Sequence, residues 1–374
     1  MAFYHNGDRK AYENPHFLRR LALSSLVMGE CVEAEGRFID DIINGIWAIC
    51  EESFLGISAH NGKLAFLDTA FKEPLPDIEE PYIDLFAGET GNLLVWTSYL
   101  LHPALDKVSP LICRRIGLEL ERRIKFPFLH HNDTNWMGYI STNKVNNWNP
   151  WIISNVLNVF LLSEHDPFRK SFAVKKMFEI LDKFLDTYGD DGGCDEGTTY
   201  WSRAGGSLHD FCDQLFRASK GNIDLFNLPI IKEIGRFIYR EHIAGPYFIN
   251  FADGDAKAGY DRGLIYHYGV RIGDENLVNL ALSLPDYIPD EVDGPPVSLH
   301  RHLCEIFDCK ELFSLSKKVS FHFIQDVWLP DIQVAAAREK TGSCNGLYLA
   351  VKGGHNDENH NHNDVGNFTG QTHE

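Results

Sequence analysis

"NPWIISNVLNVFLL", residues Asn149 to Leu162, is the stretch on which the fold class turns. Ile152, Ile153, Val156, Leu157, Phe160 and Leu161 recur at intervals of three and four, the period of an α-helix. Asn149 and Pro150 read as an N-cap followed by a first-turn proline. The same pattern extends outward in both directions. Ser109 and Pro110 open a stripe of Ile112, Ile116, Leu120 and Ile124, and Ile39, Ile42, Ile43, Ile46 and Ile49 share one face. On the C-terminal side Val174, Met177, Phe178, Leu181, Phe184 and Leu185 form another stripe, closed by Gly189, and Leu228 to Ile243 and Leu277 to Leu284 continue the series. Successive helices separated by loops, from about Asn14 to about Asp308, predict a mainly α chain of stacked helical hairpins.

Near Ser316 the period changes. "VSFHFIQDVWL", "IQVAAARE" and "GLYLAVKGG" are short, rich in β-branched and aromatic residues, and bounded by turns. They predict the beginning of an antiparallel β-domain, so the chain is divided at 1–315 and 316–374. Three or four strands are too few for an independent sandwich, and the chain is expected to end inside this second domain. The last residues, "TGQTHE", read as neither strand nor cap.

Composition narrows the function classes. The 374 residues are 44% apolar, enough to bury a sizeable core, and the formal net charge of -18 argues against nucleic acid or an anionic membrane as partner. No stretch reaches the roughly 18 apolar residues of a membrane span. Met1 to Arg20 lacks the apolar core of a signal peptide, so the expected location is cytoplasmic, or periplasmic if the N-terminus is truncated. The eight cysteines are scattered without a CxxC pair and are expected to be reduced, most of them buried.

Three polar clusters carry candidate chemistry. "NKVNNWNPW", Asn143 to Trp151, sets amides beside tryptophans, a usual platform for a sugar ring. One cap accounts for Asn149; Asn146 and Asn147 remain to be explained. "YGDDGGCDEGTTYWSRAGG", Tyr188 to Gly206, flanks Asp195, Glu196, Tyr200, Trp201 and Arg203 with glycine pairs that permit sharp turns. In "GHNDENHNHNDVGNF", Gly354 to Phe368, His360 and His362 lie two apart and would share one face of a strand with Asp364, a fragment of a zinc ligand set. A solvated polar loop is the competing reading. His60, Trp136, Tyr139 and Trp148 could also meet a sugar, and Arg122 and Arg123 read as a solvated helical face.

Together, the Asn-rich segment, "DGG-x-x-EG-x-x-YW" and "H-x-H-x-D-x-G-x-F" at the start of a β-domain resemble the heparinase II/III-like polysaccharide lyases, in order and over nearly the whole chain. The resemblance implies an (α/α) toroid followed by the start of an antiparallel β-sandwich, and β-elimination on uronic-acid-containing oligo- or polysaccharides. Asn146, or Asn147 close behind it, matches the residue that neutralises the uronate carboxylate, and Tyr200 and His360 match the pair that shares base and acid roles. A free tyrosine has a pKa of about 10 and needs nearby cations to act as a base, and Arg203 is the candidate for that help. Trp148, Asn149, Glu196, Arg203, His60 and Trp136 are expected to bind substrate. His362 matches a zinc ligand whose partners are expected beyond residue 374, so Zn2+ is expected in an intact protein rather than in this chain alone, and no organic cofactor is implied. Two other classes compete. A glycoside hydrolase would use Asp190, Asp191, Asp195 and Glu196 as paired carboxylates, and a non-catalytic toroid would only bind glycan.

Overall fold

A computed structural model describes residues 1–62, 74–140, 145–284, 298–315, 319, 321–356, 358, 362, 363 and 365–373. The chain forms two compact units, Met1–Lys183 with Asp293–His302 and Phe184–Val292 with Leu303–Glu374.

The first unit is helical: α1 (Ala2–Asn6), α2 (Lys10–Glu33), α3 (Ile39–Cys50), α4 (Leu85–Val108), α5 (Leu111–Leu120), α6 (Phe126–His130), α7 (Trp148–Ser163) and most of α8 (Pro167–Leu185). The expected stripes face inward. Ile39, Ile42, Ile46 and Ile49 are buried on α3, and Ile112, Ile116 and Leu120 on α5, each contributing about 1.5–3 kcal/mol. One turn of π-helix, Glu121–Lys125, joins α5 to α6. Every residue of α7 from Asn149 to Phe160 is buried, which is why this segment is apolar around most of its circumference. Its few polar side chains pair with α4: Asn92 donates to Asn155 Oδ1 at 2.7 Å, and Asn158 donates to Asn92 Oδ1 at 3.0 Å.

Two local expectations change here. Helix α7 starts at Trp148 with Asn147 at the N-cap position, so Asn149 lies inside the helix and caps nothing. Arg122 is exposed as expected, but Arg123 is buried, with Nε 2.7 Å from Glu119 Oε2 and a hydrogen bond of 2.9 Å to the Cys50 carbonyl. A buried guanidinium is tolerable because it is paired.

The second unit contains α9 (Thr198–Ala218), α10 (Pro229–Arg240), a short hairpin of β1 (His242–Ala244) and β2 (Tyr247–Phe248), α11 (Arg262–Ile272), α12 (Glu275–Ser283) and most of α13 (Leu299–Leu315). A four-stranded antiparallel sheet follows, β3 (Asp326–Leu329), β4 (Val334–Arg338), β5 (Gly346–Lys352) and β6 (Asn367–His373), in sequence order. The switch from helix to strand therefore falls where the hydrophobic period changes. The first expected strand shortens to its last four residues, Asp326 to Leu329. The final segment corrects the reading of "TGQTHE": Asn367 to His373 pairs with β5 along its whole length. An edge strand exposed on one side is held by main-chain bonds, so polar side chains are no bar.

The sheet buries Val334, Ala336 and Arg338 from β4 and Tyr348, Ala350 and Lys352 from β5. Its other face leaves Trp328, Leu347, Leu349, Val351 and Phe368 exposed. Arg338 lies over the rings of Phe323 and Tyr348, 4.9 and 4.5 Å from their centroids, and bonds the His242 carbonyl. Lys352 Nζ meets Glu358 Oε2 at 2.9 Å. Glu241 is buried beside them, and burial, partly opposed by Lys352, pushes its carboxyl up to about 8. Cys50, Cys194 and Cys212 are buried, but Cys31 is exposed and Cys113, Cys304 and Cys344 are half-buried, so the expectation that most thiols are buried does not hold among the described residues. No helix among the described residues is long and apolar enough to cross a membrane.

Candidate functional site

The candidates fall into two groups, one in each unit. In the first unit they gather where α7 begins. Asn146 Oδ1 accepts the Trp148 backbone N–H at 3.1 Å, a local turn. Asn147 is buried at the N-cap position, yet its side chain does not cap the helix. The Trp148 ring lies 4.6 Å from the His60 ring, centroid to centroid, so the structure brings two sequence candidates together.

His60 is held on three sides. It stacks on Phe86 at 5.5 Å, and its Nδ1 lies 3.0 Å from Asp84 Oδ2. A proton on Nδ1 is donated to this carboxylate, which fixes the plane of the ring. Asp84 also caps α4 by accepting from Ala87 N at 2.7 Å and takes the Ile57 N–H at 3.2 Å. Gly56 makes room for it, since a Cβ there would come within 2.2 Å of Asp84 Oδ1. Sequence reading passed over Asp84; its signal was its place one residue ahead of a long apolar helix.

Two candidates of this group belong to the interior. Asn149 is wholly buried, and its Nδ2 donates to the Trp136 carbonyl at 3.2 Å and the Ile180 carbonyl at 2.8 Å. Trp136 is buried with Nε1 on the Ile83 carbonyl at 2.9 Å. Both spend their donors on the backbone, leaving none for a sugar. Tyr139 is exposed, with its hydroxyl 3.4 Å from Glu179. A separate pocket in the same unit is lined by His16, Arg20, Phe86, Glu89 and Thr90. Arg20 is tied to Glu52 there, and burial together with the Arg20 and Arg19 charges lowers His16 to about 2, so it stays neutral.

In the second unit the group forms at the start of α9. Two glycines are required by space. Gly192, at φ +73°, would place a Cβ 2.2 Å from the Glu233 carbonyl carbon, and Gly197, at φ +85°, would place one 2.6 Å from the Phe251 oxygen. Asp191 and Asp331 form a reciprocal clasp, each carboxylate accepting the other's backbone N–H, at 2.7 and 3.1 Å. Beyond this turn Asp195 Oδ1 accepts the Glu196 N–H at 3.1 Å, and the buried Glu196 offers its carbonyl to Asp253 N at 3.2 Å. Asp253 Oδ2 in turn lies 3.2 Å from His362 Nε2. Segments around residues 196, 253 and 362 thus converge.

Tyr200 sits at the third position of α9 and is 36% exposed, whereas its neighbour Trp201 is buried, donating to the Ile234 carbonyl at 2.7 Å and stacking on Tyr268. Arg203 lies half-buried on the same helix. Asp253 was not singled out from sequence; an aspartate on each side of a glycine in "FADGD" was the available signal. His360 and Asp364 lie outside the described residues, as does Asn143. Among the described residues no third His, Cys, Asp or Glu joins His362 and Asp253 to complete a zinc ligand set. The described pair therefore does not meet the three-ligand requirement.

Neither protein-family models nor curated proteins give a match to this chain.

Proposed function

We propose that this protein is a lyase that cleaves uronic-acid-containing glycans by β-elimination, on an α/α toroid over residues 1–315 followed by a β-sheet domain over 316–374. The single observation that carries the reading is the start of α9. There a buried, glycine-locked turn presents Tyr200 at the surface and carries Glu196, whose carbonyl is bonded to Asp253, the partner of His362. Pairing of α2 with α3, of α4 with α5 and α7, and of α11 with α12 supports the helical-hairpin architecture.

In the proposed reaction an asparagine amide, Asn146 or Asn147, donates to the uronate carboxylate, so the charge that builds when C5 loses its proton is stabilised. Tyr200 and His360 divide the transfers: one accepts the C5 proton, and one protonates O4 as the C4–O4 bond breaks and the C4–C5 double bond forms. Trp148 and His60 offer an aromatic wall for a sugar ring. No step uses a metal. The partner is an acidic oligo- or polysaccharide.

The hydrolase reading loses ground because the carboxylate of Asp191 is committed to its clasp with Asp331, and Glu196 is buried. A panel of uronic-acid oligosaccharides followed by ultraviolet absorbance tests the proposal. The expected outcome is a rising absorbance from the unsaturated product. New reducing ends without absorbance would move the protein to the hydrolases, and binding without either would make it a glycan-binding module.

A further inference from the structure

We propose that His102, Asp106 and Cys113 form a binding site for a late first-row divalent cation, zinc above all, that staples the α4–α5 hairpin. One ligand atom from each of the three lies within 4.8 Å of the other two. His102 and Asp106 are four apart on α4, hence on one face, and His102 Nε2 is already 3.3 Å from Asp106 Oδ2. In a tetrahedral zinc site with bonds of about 2.0–2.3 Å, neighbouring ligand atoms stand about 3.3–3.8 Å apart. The first edge of that tetrahedron is therefore in place, and the other two need to close by at most about 1.5 Å.

The third ligand is positioned by the backbone. Only Ser109 and Pro110 separate the helices; Ser109 N bonds the Leu105 carbonyl at 3.0 Å, and Leu111 N bonds Ser109 Oγ at 3.3 Å. Leu105 and Ile112 are buried, so Cys113 cannot swing away from α4 without exposing them. Cys113 Sγ already lies within 4.8 Å of an Asp106 carboxylate oxygen. Cation binding replaces the thiol proton, which leaves to solvent, by a metal–sulfur bond. Thiolate, carboxylate and neutral imidazole together supply two negative charges against the cation's two positive ones. His102 and Asp106 are exposed and Cys113 half-buried, so the fourth position takes water.

Metal-stripped protein, kept reduced, is titrated with Co2+ and then with Zn2+. The expected result is saturation that brings a thiolate-to-cobalt charge-transfer band and the visible bands of four-coordinate cobalt, both erased by zinc. Cys113→Ser abolishes the charge-transfer band, and the exposed His102→Ala, which should fold normally, weakens cobalt binding at least about tenfold. Zinc should raise the melting temperature of the wild-type protein and not that of His102→Ala. His362→Ala should leave the cobalt spectrum unchanged, which keeps this site apart from any metal near that residue. Absence of a thiolate band at saturating cobalt, or a band that survives Cys113→Ser or persists with unchanged affinity in His102→Ala, overturns the proposal.

Discussion

The turns that open α7 and α9 look alike in sequence and differ in use. Each is rich in small polar residues, carries a Tyr or Trp, and leads into a helix buried for most of its length. At α7 the polar side chains turn inward: Asn149 ties the helix to two backbone carbonyls, and Asn147 is buried. At α9 the glycines and Trp201 do the inward work, and the ionisable Tyr200 stays at the surface. Residue type alone did not separate these fates. What separates them is that buried backbone carbonyls, of Trp136 and Ile180, lie within reach of the Asn149 amide and take its donors.

The sharpest test of that contrast is Tyr200→Phe. Removing the hydroxyl should cost about a hundredfold or more in turnover on a cleavable uronate glycan, with an unchanged melting temperature, since the side chain is 36% exposed. Loss of stability with activity per folded molecule intact would give Tyr200 the structural role that Asn149 has in α7.

Asn149→Ala should behave in the opposite way. It removes two buried hydrogen bonds at about 0.5–1.5 kcal/mol each, so denaturant unfolding should show a loss on the order of 1–3 kcal/mol while the folded fraction keeps its activity. Gly197→Ala comes next, at about 1–3 kcal/mol, because it combines a left-handed backbone with a clash against Phe251 O. A stability equal to wild type in urea unfolding would show that the α9 turn can shift to accept a Cβ.

The smallest effect per unit is on pH, and it has opposite signs in the two units. Glu241 is raised from 4.5 to about 8 by burial, so the fold prefers it protonated; its contribution is full below pH about 4.5 and is lost as pH rises to about 8. Lys176, which bonds the Phe128 and His131 carbonyls at 2.5 and 2.8 Å, is lowered by burial from 10.5 to about 8. The fold prefers it neutral, so stability rises with pH between about 8 and 10.5. Each slope is at most about 1.4 kcal/mol per pH unit. Urea unfolding across pH should flatten below 8 in Glu241→Gln and above 8 in Lys176→Met, and an unaltered profile in either variant removes that group from the account.

Much of the fold was legible because the apolar period survives in single helices: Ile39, Ile42, Ile46 and Ile49 and the α5 stripe are buried as spaced. Strand β6 was not legible, because its pairing rests on backbone bonds to β5 that no side-chain pattern announces. Nor was the β1–β2 hairpin, whose five residues are too few to show a period. At the candidate site, Tyr200, His60 and Trp148 could be chosen by type. Asp84 and Asp253 could not, since their partners, His60 and His362, lie 24 and 109 positions away in the chain. Motif reading sees neighbours in sequence, and these two are neighbours only in space.

The clasp between Asp191 and Asp331 joins residues 140 positions apart. During synthesis at about 5–20 residues per second, the turn ahead of α9 would wait roughly 7–30 s before its partner left the ribosome. Until then Asp191 has only local bonds, such as the one it accepts from Gly193 N at 2.8 Å. The geometry that presents Tyr200 is thus among the last parts of the second unit to be fixed as the chain is made. A nascent chain halted before Asp331 should carry this turn unlocked, open to a protease that the finished protein resists.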